Sequence, residues 1–365
     1  MNQISSGSTG ADSLTAFRWL LVTTQAATIL ITWPLWQVRT TPPMLPALPL
    51  PQCDWGPWLL VTLAIVLVRP LWGVSLHTGA IAWAMLLDQM RLQPEIISQC
   101  VLLWGTLPFA GCRLIGRVHL IALWFYAGFY KLFSPEFIQG DALRLLTKLS
   151  PTAPASLALW LGLAIALSEI GLAGLALMPA TRRVAAWYAC AFHVGIFVAL
   201  SPIGICWDEA VWPWNIALAM SGFAMISTWD ADLIENLRRT PHLARFAVGW
   251  LLLSPLGFNF GWVDSYLCHI LYSNHAPIAL IERSNAERAM IDTRPKLKAP
   301  VPQVQRLYEA HFAKVARAGD RLEIHDPRWW FRWRGMSDRV LHCEPDGNRG
   351  NAPQPGASDS RPLAN

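Results

Sequence analysis

One lysine stands at the end of an uncharged hydrophobic run, and its position requires a chemical explanation. Lys131 is the next-to-last residue of the sequence Y-A-G-F-Y-K-L, the run before it begins at about Val118, and Gly140 lies in the turn that follows. Such a run is typical of a membrane helix. Two explanations fit the lysine. Its ammonium reaches the lipid headgroups while its stem stays in the apolar layer, or it serves a site inside the protein.

The second explanation would make Lys131 a base. An apolar, dehydrated environment favours the neutral amine of a lysine, which can then accept a proton from a bound substrate. His193, in a later apolar run, is the other candidate catalytic residue. For a histidine alone, a hydrogen bond between helices is the more frequent explanation, and this alternative stays open.

The composition indicates a membrane protein. Hydrophobic residues make up 53% of the 365 residues and charged residues only 15%, and the apolar runs are separated by short charged or proline-containing breaks. These features predict an all-α fold, a polytopic transmembrane bundle of about nine spans with a small C-terminal extramembrane tail. The net charge of +5 is small, and the basic residues fall in short loops. No nucleic-acid partner is therefore expected.

The chain divides into four predicted parts. A polar segment covers residues 1–13, the transmembrane domain covers 14–280, a tail covers 281–343, and a Gly-, Pro-, Asn- and Ser-rich end at 344–365 is expected to be disordered. Within the tail, apolar spacing over 301–315 predicts an amphipathic helix. The aromatic and basic run at 327–334 predicts a patch on anionic lipid headgroups, with a buried strand edge as the alternative.

Basic residues near the span ends predict the orientation. One side of the predicted topology carries most of them, namely Arg69, Arg113, Arg117, Arg182, Arg183, Arg238, Arg239 and Arg245, against Arg39, Arg91, Arg144 and Lys148. The richer side is expected to be cytoplasmic. The N-terminus is then cytoplasmic and the tail periplasmic, in a bacterial inner membrane. This assignment of loops to the two sides depends on dividing the apolar stretch 58–87 into two spans at Arg69-Pro70.

Several polar and aromatic groups fall on the same predicted side as Lys131. They are the polar cluster Asp88, Gln89, Arg91 and Gln93, and the candidate cofactor-binding residues Tyr126, Trp207, Trp214 and Asn215. Ionisable groups in a membrane normally face a cavity or one another, so these residues form a predicted functional site. Interfacial anchoring is the alternative for each aromatic residue.

Two further groups are left out of this site. Glu169 falls nearer the inner half of its span, and Ser168 and Gly171 beside it suggest a helix contact across which its carboxylate is bonded. The seven cysteines form no C-x-x-C pair, and Cys268, His269 and His275 fit no zinc spacing. No metal is predicted.

Four features together resemble a known family. They are Y-A-G-F-Y-K-L with Gly140, the D-Q-M-R-L-Q-P cluster, His193 and the W-P-W-N run ending at Asn215. They resemble the HTTM (horizontally transferred transmembrane) domain of vitamin K-dependent gamma-carboxylases over residues 14–280. The resemblance implies that Lys131 deprotonates reduced vitamin K or another lipid quinol, in a carboxylase- or epoxidase-like enzyme.

This chain departs from that family in one respect, and other functions stay open. The carboxylases carry a large lumenal domain for their protein substrate, whereas this chain has only a short tail, which puts peptide carboxylation in question. One alternative is a non-catalytic membrane scaffold or accessory protein, in which Lys131 is an interfacial anchor and the protein partner is unidentified. A transporter is less favoured, because no broken spans recur in matching halves.

Overall fold

The computed structural model describes residues 6–229, 232–270, 273 and 275–343, with side chains from Asp12 onward. Most of these residues are helical, and a small antiparallel sheet lies near the C-terminal end of the described chain. Residues 344–365, which were predicted to be disordered, lie outside the described residues.

The apolar part of the chain forms a helical bundle. Its helices are α1 (Ser6–Ile31), α2 (Gly56–Val68), α3 (Pro70–Leu87), α4 (Pro94–Gly105), α5 (Ala110–Leu132), α6 (Ala142–Leu149), α7 (Leu157–Leu177), α8 (Arg182–Leu200), α9 (Val211–Ser221), α10 (Leu233–Arg239) and α11 (His242–Gly257). In lipid every backbone polar group must be bonded internally, which is why these apolar runs are helical.

Five stretches of the described chain are long and apolar enough to cross a membrane. They are Asp12–Ile31, Pro70–Leu87, Leu157–Leu177, Pro179–Leu200 and His242–Phe260. The apolar helix Gly56–Val68 is shorter. The chain is therefore a membrane protein with several apolar helices that lie in a lipid bilayer, while the finer count of about nine spans stays a prediction.

The stretch 58–87 is divided into two helices as predicted. Pro70 is the first residue of α3 and Arg69 separates it from α2, because proline cannot continue the preceding helix. The two helices then pack closely through Gly73. A Cβ built on Gly73 would lie 2.2 Å from the backbone nitrogen of Val66, so only glycine fits.

Helix α5 lies at the centre of the bundle and packs through small residues on two of its faces. Gly116 meets Gly105 of α4, where an added Cβ would lie 2.8 Å from the Gly105 Cα. Gly128 meets α7 with a similarly close approach. Tyr126 and Tyr130, on a further face, donate hydrogen bonds to carbonyls of α11.

The residues after the bundle fold into a small domain, residues 278–342, which is called the extramembrane domain after its predicted location. Its strands are β1 (Ile278–Glu282), β2 (Arg288–Met290), β3 (Arg321–His325) and β4 (Asp338–His342), in the antiparallel order β2-β1-β3-β4. Its helices are α12 (Arg294–Leu297), α13 (Gln305–Val315) and α14 (Trp329–Trp333). The fold is thus mostly helical, and the all-α prediction is wrong about this small sheet.

The sheet escaped prediction because its pairing is not local. Strands β1 and β3 pair in register from Ile278 with His325 to Glu282 with Arg321, across most of the domain sequence. Helix α13 forms within the stretch predicted to be amphipathic, and its Leu307 and Phe312 are buried in the same hydrophobic core as Leu322. Burial of these side chains stabilises the sheet and the helix together.

The extramembrane domain docks on one end of the bundle. The Gln93 amide donates to the Pro300 carbonyl at 3.0 Å, and Lys298 forms an ion pair of 3.0 Å with Glu209. The Arg294 guanidinium lies 3.6 Å from the centroid of a Trp207 ring. The covered end is therefore the one where α4 and α9 begin.

Candidate functional site

Lys131 forms an ion pair inside the bundle. Its Nζ donates to both carboxylate oxygens of Glu169, at 2.9 Å and 2.8 Å, and both side chains are buried between α5 and α7. The Phe137 ring lies 5.7 Å from the same Nζ. The lysine side chain is thus buried and paired with a carboxylate, while its depth in the bilayer stays a prediction.

The close approach of α5 and α7 makes this ion pair possible. A Cβ built on Gly128 would lie 2.4 Å from the Ala166 carbonyl oxygen and 2.9 Å from the Glu169 Cβ. Gly128 is one helical turn before Lys131, so the two residues share a face of α5. The contact glycine is therefore on α5, whereas Gly171 of α7, predicted to make the contact, has no neighbour within 4 Å of an added Cβ.

His193 is held by partners at both ring nitrogens. Trp124 Nε1 donates to His193 Nε2 at 2.9 Å, and His193 Nδ1 lies 3.0 Å from Asn215 Oδ1. Since Nε2 accepts, the proton belongs on Nδ1 and is donated to Asn215. The Asn215 amide in turn donates to the Val211 carbonyl at 3.0 Å. Helices α5, α8 and α9 are thereby joined by one buried chain of hydrogen bonds.

The remaining candidate cofactor residues lie in separate places. Trp214 is buried and donates to Ser98 Oγ at 3.1 Å, and that oxygen lies 2.8 Å from His119 Nε2. Tyr126 faces α11, away from the face of α5 that carries Lys131. Trp207 packs under the extramembrane domain. The structure therefore brings Asn215 to His193 but does not gather these aromatic residues around Lys131.

The polar cluster lies at the end of the bundle on which the extramembrane domain docks, and it bonds the segments there to one another. The Asp88 carboxylate accepts from the Arg39 guanidinium at 2.5 Å and from the Leu45 backbone amide at 2.9 Å. Arg91 donates to backbone carbonyls, and burial lowers its pKa to about 10, although Asp88 opposes this shift. Arg91 stays protonated at neutral pH. Gln89 is bonded to Arg306 of the extramembrane domain.

Glu169 is the functional residue that sequence reasoning left out. It is the one acidic residue in the apolar run over 157–178, and such a residue normally pairs with another ionisable group. The same signal applies to Lys131, but depths assigned by counting residues placed the two at different levels, so Glu169 was not predicted to be its partner. Among the described residues, no group of three or more His, Cys, Asp or Glu side chains could hold a metal ion.

The fold and these contacts define an integral membrane protein whose helices are joined by buried polar side chains. A family model described as methylamine utilisation protein MauE matches residues 110–204, the region from α5 to α8. No curated protein matches this chain, and no solved structure matches it.

The match corrects the resemblance to the HTTM family. The MauE model covers the Y-A-G-F-Y-K-L motif itself, which was the main support for that resemblance. The residues that suggested the HTTM family have structural explanations here. Gly128 permits close helix contact, and Lys131 pairs with Glu169. Membrane helices draw on few residue types, so a short motif of this kind recurs in unrelated families.

Proposed function

We propose that this chain is a non-catalytic accessory protein of the membrane, with a role like that of the methylamine utilisation protein whose family model matches residues 110–204. The observation that carries the proposal is the buried ion pair. A base needs an accessible lone pair, whereas Lys131 Nζ is occupied by both oxygens of Glu169. The lysine therefore ties α5 to α7.

The other candidate catalytic residue supports the same proposal. His193 is buried, and Trp124 and Asn215 occupy its two nitrogens. An imidazole held in this way joins helices and has no nitrogen left for a substrate. The folded extramembrane domain, docked on the bundle by Lys298 and Gln93, is then the part that meets a protein partner.

Replacing the ion pair by apolar residues tests this proposal. Lys131→Met alone or Glu169→Met alone leaves an uncompensated buried charge, which costs about 3–5 kcal/mol of stability. We expect each single variant to accumulate poorly in the membrane. The double variant replaces the pair with two apolar side chains of similar volume, and we expect normal amounts of protein.

The functional measurement is made in a strain that lacks the chain and is grown on methylamine. An accessory role predicts that the double variant restores growth as wild type does, because no chemistry depends on the pair. Loss of growth with normal amounts of the double variant would contradict the proposal. So would oxygen uptake by the wild-type protein with a reduced naphthoquinone, if the double variant lost it.

A further inference from the structure

A cavity of about 490 Å³ lies where the bundle meets the extramembrane domain. Its apolar wall includes Phe129 of α5, Phe133 directly after that helix, and Trp329 of α14. Glu136, His275 and Arg332 provide polar groups in the same lining. The volume falls within the range of small-ligand sites, so it suits a headgroup and the first part of an acyl chain.

The position of this cavity corresponds to a lipid headgroup region. The ring of Phe260, the last residue of a candidate membrane span, lies 5.7 Å from the Trp329 ring. Phe133 is 59% exposed and Trp329 is 50% exposed. Exposed aromatic rings at the end of a span are typical of the membrane interface. The apolar side of the cavity is therefore open to lipid.

Two opposite charges line the cavity without neutralising one another. Within the described part of the chain, Arg332 and Glu136 form no ion pair with each other or with another residue, although Glu136 accepts a hydrogen bond from Ser134. Most arginines of the extramembrane domain do have carboxylate partners, as Arg328 has in Asp326. A separated cation and anion in one crevice are complementary to a ligand that carries both charges.

The geometry points to a binding site for phosphatidylethanolamine. The Arg332 guanidinium donates to the lipid phosphate, and the Glu136 carboxylate accepts from the lipid ammonium. An acyl chain lies along Phe129 and Phe133. A choline headgroup has no N–H to donate, and a glycerol headgroup has no positive charge for Glu136. This inference does not depend on the proposed accessory function.

Native mass spectrometry of the full-length protein tests the inference. The protein is held in detergent with equimolar phosphatidylethanolamine, phosphatidylglycerol and phosphatidylcholine, and the lipids that stay bound after the detergent is removed are identified. Wild type should retain phosphatidylethanolamine with about tenfold preference over the other two lipids, as two charge-assisted contacts would give. Arg332→Gln should reduce retention of all three lipids. Glu136→Gln should remove the preference while phospholipid is still retained.

Arg334→Gln is the matched control, because Arg334 is an exposed arginine next to α14 that does not line the cavity. We expect it to bind lipid as wild type does. Equal retention of the three lipids by wild type would overturn the inference. Equal losses of bound lipid in Arg332→Gln and Arg334→Gln would also overturn it, because they would indicate nonspecific attraction between exposed arginines and lipid phosphates.

Discussion

Arg91 shows how a residue predicted to serve a ligand can instead serve the backbone. Its guanidinium donates to the carbonyls of Leu35 at 3.0 Å, Ala84 at 3.3 Å and Gln37 at 3.4 Å. These carbonyls belong to segments that follow or end α1 and α3, and the Leu35 and Ala84 carbonyls also accept from Arg39 and from the Asp88 backbone amide. Arg91 therefore adds a charge-assisted donor to each segment. The planar fork of arginine donates from three separate nitrogens to carbonyls on different segments, whereas the three donors of an ammonium share one nitrogen.

Arg91→Lys should therefore destabilise the protein although the charge is kept. We expect a loss of about 2–3 kcal/mol in the free energy of unfolding, because at least one charge-assisted hydrogen bond is lost. Thermal unfolding of the purified protein in detergent measures it. Arg334→Lys is the control, since Arg334 is exposed, and it should unfold as wild type does. Identical melting of both variants would show that the Arg91 fork is unimportant.

The pairing of α5 with α7 is the element-scale feature on which the Lys131 pair depends. The helices approach closely at Gly128, where the Ala166 carbonyl oxygen and Ile170 leave no room for a methyl group. In membranes, where lipid is as apolar as the helices, such small-residue contacts supply much of the attraction between helices.

Gly128→Ala should push α7 away from α5 and lengthen the Lys131–Glu169 contact. We expect a loss of about 1–3 kcal/mol, the usual cost of overpacking. Gly171→Ala on α7 is the matched control, because nothing lies within 4 Å of its added Cβ. Alanine there should be neutral or stabilise the helix by roughly 0.5–1 kcal/mol. Thermal unfolding of the two variants and wild type in the same detergent measures these differences. Equal destabilisation of both variants would contradict the close packing at Gly128.

At the scale of the whole molecule, the two ends of the bundle differ. The extramembrane domain covers one end, through Lys298 with Glu209 and through Lys314, which donates to the Met44 carbonyl. At the other end, Arg182 donates to the Trp229 carbonyl and Arg117 to the Met225 carbonyl. Basic residues at that second end favour a cytoplasmic location for it.

Single-cysteine labelling in a cysteine-free background tests this orientation. Arg183 and Asn285 are both exposed, the first at the start of α8 and the second in the turn between β1 and β2. Asn285→Cys should react with an impermeant maleimide in intact spheroplasts, and Arg183→Cys should react only after the membrane is opened. The reverse pattern would place the extramembrane domain in the cytoplasm.

The sequence by itself determined the membrane character and the helical bundle, because both follow from long uncharged runs whose backbone must bond internally in lipid. It also located the break at Arg69-Pro70, where a proline acts on its immediate neighbours. The aromatic and basic run at 327–334 was recognised, but the headgroup role predicted for it does not include Arg328, which is buried against Asp326.

Only the tertiary structure decided which side chains meet. Glu169 is 38 residues from Lys131, and their contact depends on how far α5 and α7 are rotated and shifted against each other. Strand β1 likewise pairs with β3, although β2, α12 and α13 lie between them in the sequence. The pattern of apolar residues along the chain does not specify how helices rotate against each other or which strands pair. Packing between segments distant in sequence decides both.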